Sequence, residues 1–368
     1  MQGTPGTILP IDSIQEFNEQ FSPTAEFGWR PGVIVNVGLK SGTNNFHGTG
    51  YEFERNAALD ARNYFNPAPN PKTLRMHQFG ATFGGPIVAG KLFFFTGYEG
   101  VRSLVGLSQI FFTPATVSLG GDPANSIPDA LSDLEAHGVA ESALSQRLAT
   151  LFATNDGVNP EGIFTNFPNT NRADNGVAKV DYQASDRNVL GVTYVIGDSL
   201  QTEQDQPVLD PRWRSQAVTR AQVLGGTWAY MPNPSWVNEV RVGYNRLWQT
   251  FLTADASLNP TTAYGINTGV TNPQNFGMPT IRIGNFGPPP PAGVFGGNNG
   301  WSQMLRPAQV MQFSDSVSHS RAKNAIKFGG EVRRSSVDHL KNRVAKGRID
   351  FNNGEKSRFH SNGWAGGI

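Results

Sequence analysis

The feature that most constrains this chain is a two-residue alternation of apolar and polar side chains that recurs along most of its length. Neighbouring side chains of a β-strand point to opposite faces, so each such segment sets one face in an apolar medium and the other in a polar one. Residues 48–55 put Tyr51 and Phe53 opposite Gly48, Gly50, Glu52 and Glu54. Residues 78–84 put Phe79, Ala81 and Phe83 opposite Gln78, Gly80, Thr82 and Gly84. Residues 178–184 set Val180 and Tyr182 against Lys179, Asp181 and Gln183, and residues 188–197 carry Leu190, Val192, Tyr194 and Ile196 on one face. Residues 218–230 end in Leu224, Trp228 and Tyr230, and residues 324–335 set Ile326, Phe328 and Val332 against Lys327, Glu331 and Arg333. Residues 91–101 are apolar on both faces.

The longest segment, 236–249, places Trp236, Val240, Val242, Tyr244 and Trp248 opposite Glu239, Arg241, Asn245 and Gln249. Its tryptophans stand about 40 Å apart along a strand. Tilted by about 40°, that strand rises roughly 30 Å, the apolar band of a membrane β-barrel plus its two aromatic girdles. A long strand of a soluble barrel or propeller is the alternative for this segment alone. Connection lengths favour the membrane barrel. Short turns, at 88–90, 185–187, 232–234 and 320–323, alternate with long polar stretches at 56–75, 104–172, 199–216 and 252–304. Outer-membrane barrels have this asymmetry of short periplasmic turns and longer outside loops. Within the loops, residues 127–153 read as helical with a break at Gly138, a small cap or a docking helix, and residues 284–300, with Pro288 to Pro291, as low-complexity. Residues 1–45 form a separate unit from 46–368, and the Val-rich stretch 32–40 predicts a strand buried on both faces.

Composition narrows the function. With 16% charged residues and a net charge of +1 the chain lacks the basic face of a nucleic-acid binder. Zero Cys removes disulfide scaffolds, cysteine-zinc modules and thiol catalysis. Met1 to Pro10 has neither a basic start nor an apolar run, so no export signal is expected there. The run Gly85 to Lys91 fits the first seven positions of a phosphate-binding loop, but Leu92 follows where Ser or Thr is needed, so a hairpin turn is expected. The six His lack metal-ligand spacing, although His47 and His77 could meet across neighbouring strands. No catalytic residue, metal site or cofactor is expected, and the chain does not read as an enzyme.

The runs Asp12–Phe17, Ala25–Gly28, Val35–Val37 and Lys40–Gly48 resemble the plug-to-barrel junction of TonB-dependent outer-membrane receptors. Tyr51–Phe53, Leu59–Phe65, Gln78–Gly80, Gly84–Ile87, Lys91–Phe95 and Tyr98–Gly100 extend the likeness, specifically to the Oar-like subgroup. The match is dense from about 11 to 102. Glu26, Phe27, Gly28, Ser41, Gly42, Thr43, Asn44, Phe46, His47 and Gly48 are the junction motif. The resemblance implies an all-β, antiparallel transmembrane barrel of 22 strands with a plug in its lumen. Of these, about nine or ten are found here, so the chain is expected to be a fragment, with 1–45 the end of the plug and 46–368 the first part of the barrel. It further implies import of a scarce ligand (glycan, peptide or chelate) across the Gram-negative outer membrane, driven by the TonB-ExbB-ExbD complex. Contact with that complex would run through a segment upstream of this chain. Outer-membrane lipid is the second expected partner and an extracellular ligand of unknown identity the third. On this expectation Tyr51, Phe53, Phe79, Phe83, Trp228, Tyr230, Trp236, Tyr244 and Trp248 face lipid. Glu52, Glu54, Lys179, Asp181, Glu239, Arg241, Lys327, Glu331 and Arg333 face the lumen. An adhesin or assembly barrel without import, and a soluble β-sandwich binding carbohydrate, are the rivals.

Overall fold

The computed structural model describes residues 9–21, 33–62, 64, 68, 72–106, 109–111, 115–118, 120, 126–149, 163–165, 168–203, 211–283, 294–296, 304–338, 340–341, 344–352 and 355–359. Glu26, Phe27, Gly28 and the proline run 288–291 lie outside them. In chain order the strands begin with β1 (Ile14–Gln20), β2 (Ile34–Leu39), β3 (His47–Asn56), β4 (Leu74–Val88), β5 (Leu92–Gly106) and β6 (Gln109–Phe111). Helices α1 (Ile127–Ala136) and α2 (Ala143–Ala149) precede β7 (Ile163–Thr165), β8 (Pro168–Ser185), β9 (Asn188–Glu203), β10 (Ser215–Asn233) and β11 (Trp236–Thr253). After α3 (Pro260–Tyr264) come β12 (Thr280–Ile283), β13 (Val294–Gly296), β14 (Met304–Arg321) and β15 (Asn324–Val337). The last are β16 (Leu340–Lys341), β17 (Arg348–Asn352) and β18 (Glu355–Phe359).

One antiparallel sheet dominates, in the order β15-β14-β11-β10-β9-β8-β5-β4-β3, with β16 added beside β14. Each long strand pairs with the next long strand in the chain, the simplest consequence of linking alternating segments by hairpins. The sheet does not close, so β3 and β15 are its edges. Most of its strands run 14–19 residues, well beyond the usual five or six of soluble sheets. Two-residue turns at 186–187, 234–235 and 322–323 join the strands at one end. Ala322 there has φ 55°, the positive value that tight hairpins demand. Residues 85–91 form the end of β4 and a turn with Gly90 at φ 71°, not a phosphate loop.

The opposite end carries the long connections. In one of them α1 starts at the N-cap Ser126, whose hydroxyl accepts from the Asp129 amide at 3.0 Å, and stops before Gly138 at φ 66°. The helical pattern of 127–153 thus resolves into α1 and α2, separated where the glycine stands. β1 and β2 pair antiparallel as a ribbon of their own. Here the expectation of burial on both faces fails: Val35 and Val37 are 49% and 38% exposed and Phe17 is 61% exposed. A two-stranded ribbon has no second layer to cover both of its sides.

Candidate functional site: the covered face and the loop cap

Residues directly opposite in neighbouring strands share a face, so the register divides the large sheet into two surfaces. Tyr51, Gly80, Glu99, Asn175 and Gly197 form one row, and the same face carries Val177, Val195 and Val223 further along. Residues 9–13 and 39–42 rest on this face. Leu9 and Leu39 pack on a cluster of Phe95, Val177 and Val195, which are 1%, 3% and 6% exposed.

Glu99 is the polar centre of the contact, 1% exposed on the covered face of β5. Its Oε2 accepts from the Ile11 backbone N–H at 3.1 Å and from the Tyr51 hydroxyl at 2.7 Å. A buried carboxylate is tolerable only with such partners. Beside it, a Cβ on Gly97 would meet Ser13 Oγ at 2.3 Å, so only glycine lets the segment approach. The Lys40 amide donates to the Ser13 carbonyl at 2.9 Å, tying the two parts of the segment together.

The junction motif continues from there. Ser41 Oγ accepts from Lys179 Nζ at 2.5 Å, and Lys179 also stands 3.4 Å from Asp181. A Cβ at Gly42 would fall 2.3 Å from the Phe94 carbonyl oxygen, which excludes any other residue. Thr43 donates to the Asn45 carbonyl at 2.8 Å. Asn44 Oδ1 accepts from the Gly90 amide at 2.7 Å, fastening the motif to the first hairpin turn. His47 stacks on Phe95 at 6.5 Å, whereas Phe46 lies against Phe83 and Phe94 of the opposite face, at 5.8 and 6.5 Å. Gly48 lies within reach of the Thr82 carbonyl, where a Cβ would come to 2.6 Å. The motif therefore wraps the short-turn end of the sheet and touches both of its surfaces.

Lys179, Asp181, Glu239, Arg241, Lys327, Glu331 and Arg333 all lie on the covered face by register. Arg241 pairs with Glu239 at 2.7 Å and Arg333 with Glu331 at 3.1 Å, while Gln312 bridges the latter two side chains. Phe79, Phe83, Trp228, Tyr230, Trp236, Tyr244 and Trp248 lie on the opposite face. That surface is apolar and uncovered: Trp248 is 40% exposed, Val242 51% and Phe313 49%. Asp315 interrupts it and is held by Asn238 Nδ2 at 2.6 Å.

Strand β3 departs from expectation. Tyr51 and Phe53 sit on the covered face, and Glu52 and Glu54 on the other. The apolar side of β3 serves the protein contact through Tyr51, the partner of Glu99, while Gly48 and Gly50 leave its other side without bulk. His47 and His77 also fall on opposite faces; His77 lies 3.4 Å from Glu52 instead. Among the described residues no group of three or more acidic, His or Cys side chains could hold a metal.

A second assembly caps the long-loop end, and the sequence did not announce it. Trp213, Tyr264, Ile266, Met278 and Ile281 form a buried cluster on which Leu148, Leu258 and Ile349 pack, so four separate connections meet there. Asp255 lies at its centre. It accepts from Thr253 Oγ1 at 2.6 Å, the Tyr264 hydroxyl at 3.1 Å and the Met278 amide at 2.7 Å, with Lys346 Nζ 3.6 Å away. Lys346 also donates to Thr253. Burial, then the Asp255 charge, pushes the Tyr264 hydroxyl up to about 12. Burial lowers the Lys346 ammonium, against the pull of Asp255.

Residues 38–365 match the family model of the outer membrane beta barrel domain. The chain belongs to that family. It is an outer-membrane protein, and its open antiparallel sheet is part of a barrel. Among solved structures it is similar to the outer membrane transporter YddB from Escherichia coli, with a TM-score of 0.56 and 12% identity over 96% of this chain and 39% of that one. The chain thus spans about two-fifths of that transporter's length. A likeness to a mutant of TodX, a monoaromatic hydrocarbon channel, has a TM-score of 0.25 and 11% identity over 73% of this chain and 56% of that one, too low to carry an argument. No curated protein matches the sequence.

Proposed function

We propose that the chain is part of a TonB-dependent outer-membrane transporter of the Oar-like kind, importing a scarce glycan, peptide or chelate. The observation that carries this is the docking of residues 9–13 and 39–42 on one face of the sheet through Glu99, Tyr51 and Lys179. A passive channel needs no chain segment fixed across its wall. A gated one needs a plug that is held firmly at rest and can be released by displacing a few polar contacts.

In this reading the covered face lines the lumen, the apolar face meets lipid, and the cap around Asp255 stands outside, where ligand first arrives. Paired charges such as Arg241–Glu239 keep the lumen wall wetted without a large net field. Pulling by TonB on an upstream segment would draw residues 9–13 away from Glu99 and open the route.

The test is uptake by cells carrying the intact protein, with and without a functional TonB complex. Uptake that stops when TonB is removed is the expected result. Permeation that continues unchanged would make the protein a passive channel, and surface attachment with no uptake would make it an adhesin.

A further inference from the structure

One side chain of the uncovered face does not suit hydrocarbon. Asp315 of β14 stands opposite Val240 of β11 and Gly330 of β15, with Phe313 and Val317 two residues to either side. In the same register Trp236 is level with His319 and Trp248 with Pro307, so the carboxylate lies four residues inside one tryptophan level and eight inside the other. At about 3.4 Å per residue and a tilt of about 40°, that is roughly 10 Å into the apolar band. An ionisable group at such a depth is costly on a lipid-facing surface and calls for a partner. The side chain accepts one hydrogen bond, from Asn238 Nδ2 to Oδ1 at 2.6 Å, and Oδ2 has no partner among the described residues. The second N–H of Asn238 is barely used, reaching only the Ser316 carbonyl at 3.4 Å. The nearest arginines of this face, Arg334 and Arg321, stand four and six residues away along the register. His319 is taken up by the Trp236 ring, stacked at 4.1 Å, and by the Ser235 carbonyl.

We propose that this patch is the contact between two copies of the protein in the membrane, related by a twofold axis along the membrane normal, with Asn238 of each copy donating its second N–H to Asp315 Oδ2 of the other. This rests on the part of the reading above in which the uncovered face meets lipid, and not on TonB or on the ligand. The second copy is the occupant because the patch is its own complement. A twofold axis passing between Asn238 and Asp315 sets each donor against the other copy's acceptor, at the same difference in depth that the bond within one chain already spans. Both free oxygens and both spare donors are then used, and no carboxylate faces hydrocarbon half-bonded. A lipid tail offers no donor, and a different protein would have to bring an unpaired donor or cation of its own to this depth. The surface permits the approach. A Cβ on Gly330, opposite Asp315, would meet nothing within 4 Å, so a notch flanks the carboxylate, and Val242, Phe313, Phe328 and Val332 around it are exposed. Two convex barrel walls touch along only a few strands, a width that β11, β14 and β15 supply.

The chain has no Cys, so single cysteines can report the contact. Val317→Cys, opposite Asn238, and Val192→Cys, on the same face of β9, are each placed in the intact protein and treated with a short thiol-to-thiol crosslinker in native outer-membrane vesicles. Val317→Cys is expected to give a crosslinked homodimer and Val192→Cys none. In micelles, sedimentation equilibrium should show a dimer whose dissociation constant rises about thirtyfold in Asn238→Leu, the loss of two hydrogen bonds across a membrane interface. Asp315→Leu should weaken the dimer comparably, although it removes a charge from an apolar surface. No crosslink at Val317→Cys, equal crosslinking at both positions, or unchanged or tighter association of Asp315→Leu would overturn the proposal, as would a crosslink from Val317→Cys to a different protein. Should the leucine variants lose their heat-modifiable gel mobility, the contrast between the two cysteine positions decides alone. Quenching of tryptophan emission by brominated acyl chains tests the underlying lipid contact separately. Quenching without a dimer sinks this inference and leaves the transporter reading intact, whereas no quenching removes the membrane face on which both rest.

Discussion

At the scale of single residues, two buried carboxylates organise the molecule. Glu99 holds the docked segment by two hydrogen bonds, one from backbone and one from Tyr51. Tyr51→Phe is expected to cost about 2 kcal/mol in urea unfolding, the worth of a hydrogen bond to a charged group. Glu99→Ala should in addition raise amide exchange at Ile11; unchanged exchange there would show that Leu9 and Leu39 alone hold the segment. In the cap, Lys346→Met leaves Asp255 buried without its cation and should cost about 3 kcal/mol or more. Tyr264 sets a pH dependence. Its folded value, about 12, lies above the ordinary 10, so its contribution is complete below pH 10 and is lost as pH rises from 10 through 12. Lys346 acts in the opposite direction, because a lowered folded value makes stability rise with pH up to the ordinary 10.5. Tyr264→Phe should therefore remove the loss between pH 10 and 12 and leave the gain below it, read as protection of cap amides against exchange.

At the scale of elements, the two faces of one strand predict opposite responses to the same substitution. Val242 lies on the uncovered face of β11 and Asn245 on the covered one. Val242→Arg sets a charge in hydrocarbon and is expected to cost about 2–4 kcal/mol, whereas Asn245→Arg should be nearly neutral, as measured by urea midpoints in detergent. Similar costs at both positions would mean that the uncovered face does not lie in the membrane. The faces of β8, β10, β11 and β15 were legible in the sequence because their apolar sides have a single job. In β3 the same alternation is present, yet its phase is reversed, since Tyr51 is apolar enough for lipid and polar enough to bond Glu99. Binary pattern reports an apolar environment and cannot say whether protein or lipid supplies it. The helices were legible through their leucines and Gly138. The cap was not, because Asp255, Tyr264 and Lys346 come from connections with no shared period, and only tertiary packing brings them together.

At the scale of the whole molecule, the sheet is asymmetric about its own plane and between its two ends. Both edges, β3 and β15, are open, and an open edge in hydrocarbon leaves backbone groups unsatisfied. Further strands must complete them in the membrane. The ends differ more sharply. One end has turns of two or three residues tied closely to the strands, as Asn44 ties Gly90. The other gathers four connections around Trp213 and Asp255 into a packed cap with its own core. Chain that must cross the membrane during assembly costs more the larger and more folded it is, so the short turns are expected on the side where insertion starts and the cap outside, as the proposed function requires. A peptide tag inserted between Asp186 and Arg187 should be hidden from antibody in intact cells and become accessible once the outer membrane is permeabilised. A tag placed after Thr271, in an exposed stretch of the cap loop, should be labelled in intact cells. The reverse pattern would invert the barrel and remove the cap from the path of an incoming ligand.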